Sequence, residues 1–236
     1  MRTIVRLSGL SVLLANVAVV LGILISEIYN LGGEVLPLSG QEGLHHLGQF
    51  AELLTIRELL WLAYPILLLP KGIALYMLFR DRAPALLWAL ILWCIGLTFG
   101  IAVDILTVAV VRDLGVIYLA SEATTQSVIE SFAPSIAHTI LLMQFIGDNL
   151  GATFVYPFFA IVAYRAGFIG RPLVIVNVLS VICVCLGYRG LNLLFLGETD
   201  ISNIFAIGFF GLIWWEVSIA IKLLKTRSLN SVMVST

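Results

Sequence analysis

The sequence predicts an all-α polytopic membrane protein, a bundle of six transmembrane helices with amphipathic surface segments on its outer face. Three observations carry this. Of 236 residues, 61% are hydrophobic and only 11% charged, against about 25% charged in an ordinary soluble domain. The apolar residues gather into runs of about 20 residues or more, the length that crosses ~30 Å of hydrocarbon as a helix. The basic residues are also sorted by side, as membrane topology requires. The whole chain, 1–236, reads as a single transmembrane domain. Its net charge of −1 gives no reason to expect nucleic acid as a partner.

The first span is predicted at 4–25. Arg2 and Arg6 precede it, but its apolar run exceeds a signal peptide's h-region and no A-x-A cleavage site follows, so it reads as a retained helix. Residues 27–49 are polar and broken by Gly32-Gly33, Pro37 and Gly40, and they hold His45-His46. From Leu44 onward, Leu44, Leu47, Ala51 and Leu54 recur at helical spacing, which predicts an amphipathic lead-in lying on the membrane surface. The second span, 58–79, contains Pro65, Pro70 and Lys71 and ends on Arg80-Asp81-Arg82. The third, 84–111, opens on Pro84, where a missing donor costs nothing. Its Gly96, Gly100, Asp104 and Thr107 fall on one stripe, with Gly-x-x-x-Gly as a helix-contact signal.

Residues 112–131 read as a surface segment with helical character, after which Pro134 is expected to start a long helix. That helix leads into the stretch around which the chain is organised, Gly147–Arg171. Asp148 opens it inside an apolar run, and Arg165 and Arg171 close it. The fourth, fifth and sixth spans are predicted at 145–166, 172–196 and 203–224. Cys94, Cys183 and Cys185 lie in apolar runs and give neither a disulfide framework nor a metal cluster.

Six spans place Arg2, Arg6, Arg80, Arg82, Arg165, Arg171, Lys222, Lys225 and Arg227 on one side, nine of the thirteen basic residues. Arg57, Arg112 and Arg189 are left on the other, with most of the acidic residues. The positive-inside rule then predicts a plasma (inner) membrane protein with both termini cytoplasmic.

The segment Phe158-Phe159 … Tyr164-Arg165-Ala166-Gly167-Phe168-Ile169-Gly170-Arg171-Pro172, with the Leu78-Phe79-Arg80 turn, resembles the six-helix bacterial membrane proteins of domain-of-unknown-function family 4386. That family usually carries Pro-Arg where this chain has Gly170-Arg171-Pro172. The resemblance implies six helices and supplies no activity.

Charges inside the spans are the candidates for function. Counted from the basic anchors at about 1.5 Å per residue, Asp148 lies about 26 Å above Arg165, Arg189 about 27 Å above Arg171 and Asp104 about 33 Å above Arg82. All three fall near the outer edge of the hydrocarbon, with Asn149 and Asn192 as neutral neighbours. Asp148 and Arg189 are expected to face one another, with Gly147 and Gly151 letting span four approach Gly187 and Gly190 of span five. The bland reading is three unrelated interfacial charges, which are far cheaper than central ones.

Lys71 and Glu216 sit deeper, at about 14 and 9 Å, and are expected to form an intramembrane ion pair. Lys71 could instead snorkel to the interface, but a short carboxylate reaches poorly. His45, His46 and His138 read as solvated or helix-end histidines, since no metal-ligand spacing exists. No catalytic residue and no cofactor is assigned, because nucleophile-elbow, Walker and Cys-x-x-Cys signatures are missing.

The leading expectation is a non-enzymatic accessory subunit or a small- or apolar-ligand-binding membrane protein. Its partners would be the bilayer and a membrane protein or second copy seated on Gly96 and Gly100. A small-solute or proton-coupled transporter is the alternative, and an intramembrane enzyme with an outer-face site the third. A transporter requires a polar path from the outer cluster to Lys71 and Glu216.

Overall fold

The computed structural model describes residues 2–29, 31, 40–187 and 202–226. It is all-α, with no strand among the described residues. Five helices are long and apolar enough to cross a membrane: Thr3–Ile28, Ala51–Phe79, Leu86–Ala120, Ala123–Arg165 and Ile204–Lys225. The fifth predicted span, 172–196, is described only over its first part, an apolar helix of 17 residues. Its remainder, with Arg189, Gly190 and Asn192, lies outside the described residues.

Helix α1 (Arg2–Ile28) turns three of its polar side chains onto its own backbone, while Ser11 Oγ donates to Leu67 O of the next span at 2.6 Å. Ser8 Oγ donates to Ile4 O at 2.8 Å, Asn16 Nδ2 to Val12 O at 2.8 Å and Ser26 Oγ to Gly22 O at 3.1 Å. In lipid, where no water competes, such local bonds are the cheapest outlet for a hydroxyl or amide. The lead-in folds as a separate helix, α2 (Gln41–Gln49), before α3 (Ala51–Phe79). The apolar face of this amphipathic stretch, Leu44, Leu47 and Leu54, is turned onto the protein itself. All three are fully buried against Val111, Tyr118 and Ile129 in a small second core. Gly48 permits this, because a Cβ there would strike the Gly115 carbonyl.

Segment 112–133 is likewise more regular than its composition suggests. Helix α4 (Leu86–Leu106) continues through a π-helical turn, Thr107–Arg112, into α5 (Asp113–Ala120). The chain reverses at Ser121 and Glu122, both extended, and α6 (Ala123–Asp148) runs back. Pro134 therefore lies inside α6 and does not start it. Tyr118 OH donates to Glu130 Oε1 at 2.7 Å and Gln126 Nε2 to Tyr118 O at 2.9 Å, clasping this hairpin. At 35 residues, Leu86–Ala120 is about 52 Å long, so it overshoots a ~30 Å hydrocarbon layer. The overshoot carries α2.

After α6 a second π-helical segment, Asn149–Val155, leads into α7 (Tyr156–Arg165). Pro157 accounts for it, since it lacks the N–H that would bond the Thr153 carbonyl and its ring crowds that oxygen. Helix α7 ends in a Schellman turn: Gly167 takes φ 70°, its N–H bonds Tyr164 O at 2.8 Å, and Phe168 N–H bonds Ala163 O at 2.9 Å. Phe168 then packs edge-on against Phe79, and Arg82 Nη1 donates to Ala166 O at 3.3 Å. The Arg-x-Gly-Phe residues are thus turn chemistry that ties two loops together. Helices α8 (Arg171–Gly187) and α9 (Ser202–Lys225) follow among the described residues.

The packing order closes on itself. Helix α1 contacts α3 and α9, α3 contacts α4, α4 contacts α6 and the second π segment, α7 contacts α8, and α8 contacts α9. Gly96 sits against Gly147 and Gly151, where a Cβ would lie 2.8 Å from the Gly147 carbonyl and the Gly151 nitrogen. Gly96 packs within the chain, and Gly147 and Gly151 seat α4; the expected approach of span four to Gly190 lies outside the described residues.

Candidate functional site

One face of α3 presents Arg57, Tyr64 and Lys71 at seven-residue intervals. Seven residues are two helical turns, so the three side chains descend through the bundle in steps of about 10 Å. The lowest, Lys71, meets Glu216 of α9 with Nζ 2.8 Å from Oε1, and both side chains are 0% exposed. The ring of helices makes this possible, because α3 and α9 flank α1 and converge at its inner side.

Every neighbouring helix completes the pair. Tyr156, at the first position of α7, accepts from Lys71 Nζ at 3.1 Å and donates to Glu216 Oε1. Tyr64 OH lies 3.2 Å from both Glu216 oxygens, and Asn16 Nδ2 of α1 donates to Oε2 at 3.1 Å. The ammonium also faces the rings of Tyr156, Trp93 and Trp215, at 4.3, 5.1 and 5.3 Å from their centroids. Such cation–π contacts supplement the ion pair where water is excluded. Lys71 is eight residues above Phe79, Glu216 nine above Lys225 and Tyr156 nine above Arg165. All three counts give a height of about 12–14 Å, near the middle of the hydrocarbon.

Two polar atoms beside this network have no hydrogen-bond partner among the described residues: Asn16 Oδ1 and Trp215 Nε1. Tyr64 is the one half-buried member, and it is the link upward. Its hydroxyl touches Glu216 and lies within electrostatic reach of Asp148. Asp148 is in turn within reach of Asp104, which also feels Glu58 and Arg57. Arg57 pairs with Glu58, donates Nη1 to Leu31 O at 2.9 Å, and is buried with it near the outer end.

The structure thus brings Asp104 and Asp148 into one electrostatic neighbourhood. The guanidinium described beside Asp104 is Arg57, a residue the sequence marked only as an outer basic charge. The Asp148–Arg189 contact and Asn192 lie outside the described residues. Asn149 turns elsewhere, donating to Phe145 O at 2.8 Å and accepting from Thr153 Oγ1 at 3.0 Å, with Cys185 Sγ 2.9 Å from that hydroxyl. Tyr64, Tyr156, Asn16, Arg57 and Glu58 escaped the sequence reading, although the 57–64–71 spacing carried a signal for three members of the file.

His46 packs on Phe50 and Nε2 lies 3.1 Å from Tyr29 O, while His138 is exposed. No group of three or more His, Cys, Asp or Glu residues able to hold a metal occurs among the described residues. No family model, curated protein or solved structure matches the chain.

Proposed function

We propose that the chain is a small-solute or proton-coupled transporter whose coupling centre is the Lys71–Glu216 pair. The observation that carries this reading is the file from the outer acidic group through Tyr64 to a charge pair at mid-membrane height. Ionisable groups at that depth are costly, and they mark proton and substrate pathways when they face a bundle interior. Gly96 is taken up by Gly147 and Gly151, whereas Gly100 has open space beside it and stays available to a partner helix. Placement as six spans in the plasma membrane, with both termini cytoplasmic, rests on the distribution of Lys and Arg. The resemblance to family 4386 agrees with that threading.

A non-enzymatic structural or ligand-binding role is the second reading. It is favoured by how completely Glu216 and Lys71 are satisfied and enclosed under Trp93 and Trp215. The two readings part in proteoliposomes containing the full chain. A pH jump on a supported membrane is expected to drive a charge displacement in the wild type. In the Lys71→Met/Glu216→Gln double variant, and in Tyr64→Phe, the displacement should fall about tenfold. Equal currents from all three proteins would sink the transporter reading.

The threading has its own check. A cysteine at Asp81 should resist an impermeant maleimide in intact cells, and one at Glu122 should react. The reverse pattern would invert the topology.

A further inference from the structure

The ends of α1 and α9 meet, with Gly9 directly against Ala220 and Leu224. Beside this crossing, Thr3, Arg6, Leu7, Leu10 and Leu224 enclose an open groove of about 530 Å³. Its composition is divided. Arg6 and Thr3 stand toward the helix end, and leucines continue toward the bilayer centre. The Arg6 Nε is shielded from solvent yet has no hydrogen-bond partner among the described residues. Arg6 as a whole is half-buried and lines the groove, so its guanidinium can donate to a ligand oxygen there.

We infer that this groove binds an anionic glycerophospholipid, with the phosphate on Arg6 and Thr3 and an acyl chain along α1. The apolar track is in place, because Leu7, Leu10, Leu14 and Val17 form a continuous exposed stripe leading from the groove. Charge selects the headgroup. The first turn of α1 contains no acidic residue, and the last turn of α9 carries Lys222 and Lys225. A phosphate also gains from the positive end of the α1 dipole. Among the described residues lining the groove, a choline or ethanolamine ammonium would find the Arg6 cation and no carboxylate. Arginine suits the role better than lysine, since its planar fork matches two phosphate oxygens at once. The site is separate from the Lys71–Glu216 centre and does not depend on the transport reading.

Native mass spectrometry of the detergent-solubilised full chain tests it, using phosphatidylglycerol and phosphatidylcholine of equal chain length. The wild type should retain one phosphatidylglycerol at concentrations where phosphatidylcholine is lost. Arg6→Ala should weaken retention about tenfold, the size of one charge-assisted contact, and Arg6→Lys should fall between. Leu7→Trp, which fills the groove and keeps the charge, should weaken it as well, while Arg80→Ala, in a different loop, should leave it unchanged. Equal retention of both lipids would overturn the inference. So would indifference to Arg6→Ala and Leu7→Trp, or displacement of the lipid by glycerol phosphate at matched concentration, which would mean a phosphate site without a lipid track.

Discussion

Lys71→Met and Glu216→Gln should each destabilise the protein by about 3–5 kcal/mol, the cost of stranding one member of a buried ion pair. Combining them should cost less than either change alone. The reason lies in what each single change leaves behind. With Lys71 gone, Glu216 keeps Tyr64, Tyr156 and Asn16 as donors but loses its only cation among the described residues. With Glu216 neutral, the ammonium keeps one hydroxyl and three aromatic faces. The double variant strands no charge, and a buried pair exchanged for neutral groups of similar size is often close to neutral. Thermal or SDS unfolding of the four proteins in one detergent measures the coupling. If the two losses simply add, the contact contributes nothing to stability.

Gly72→Ala is expected to be the most disruptive of the small changes. An added methyl would be built onto Trp93, well inside van der Waals contact with Cζ3 and Cε3, and 3.1 Å from Leu90 Cδ1. Trp93 has nowhere to retreat. It is 1% exposed, its ring meets Phe159 edge-on at 6.2 Å, and Lys71 covers its face. Overpacking of a closed core costs about 1–3 kcal/mol, and here it also displaces a ring that faces the ammonium. A smaller ring should relieve the clash, so Trp93→Phe should restore part of the stability lost by Gly72→Ala while destabilising the wild type. If Trp93→Phe harms both backgrounds equally, the Gly72–Trp93 contact is not the cause.

The membrane class and the Lys71–Glu216 contact could be read from the chain because both depend on one coordinate, height. Counting residues from basic anchors gives height directly, since a helix rises a constant distance per residue. Rotation about each helix axis is the coordinate that apolar sequence conceals. When every face is Leu, Val or Phe, no polar stripe reports which face turns inward. Hence nothing in the apolar pattern singles out Tyr64, Tyr156 or Asn16 as members of the central network. The Asn149–Val155 segment adds a second obstacle, because a widened turn shifts every later side chain relative to a regular wheel. The glycines failed for a related reason. Gly147 and Gly151 announce a close approach but do not name the neighbour, which among the described residues is Gly96 of α4. Residues 112–131, expected as a surface segment with helical character, are helical on both sides of Ser121, and Tyr118 and Ile129 add a core with α2 that the composition does not announce.

The two members of the central pair are separated by 145 residues of chain. That separation is also an interval of time. At roughly 5–20 residues per second of synthesis, Lys71 exists for about 7–30 s before Glu216 is made. During that interval α3 enters the bilayer as a helix with a lone ammonium, a cost of about 2.5–3.5 kcal/mol at its centre. Its stem is long enough to carry the charge to the interface, and Tyr156, born 60 residues before Glu216, offers the first acceptor. Helix α9 therefore does more than fill a gap in the ring. It brings the anion that draws Lys71 inward, so α3 reaches its final seat only when α9 arrives.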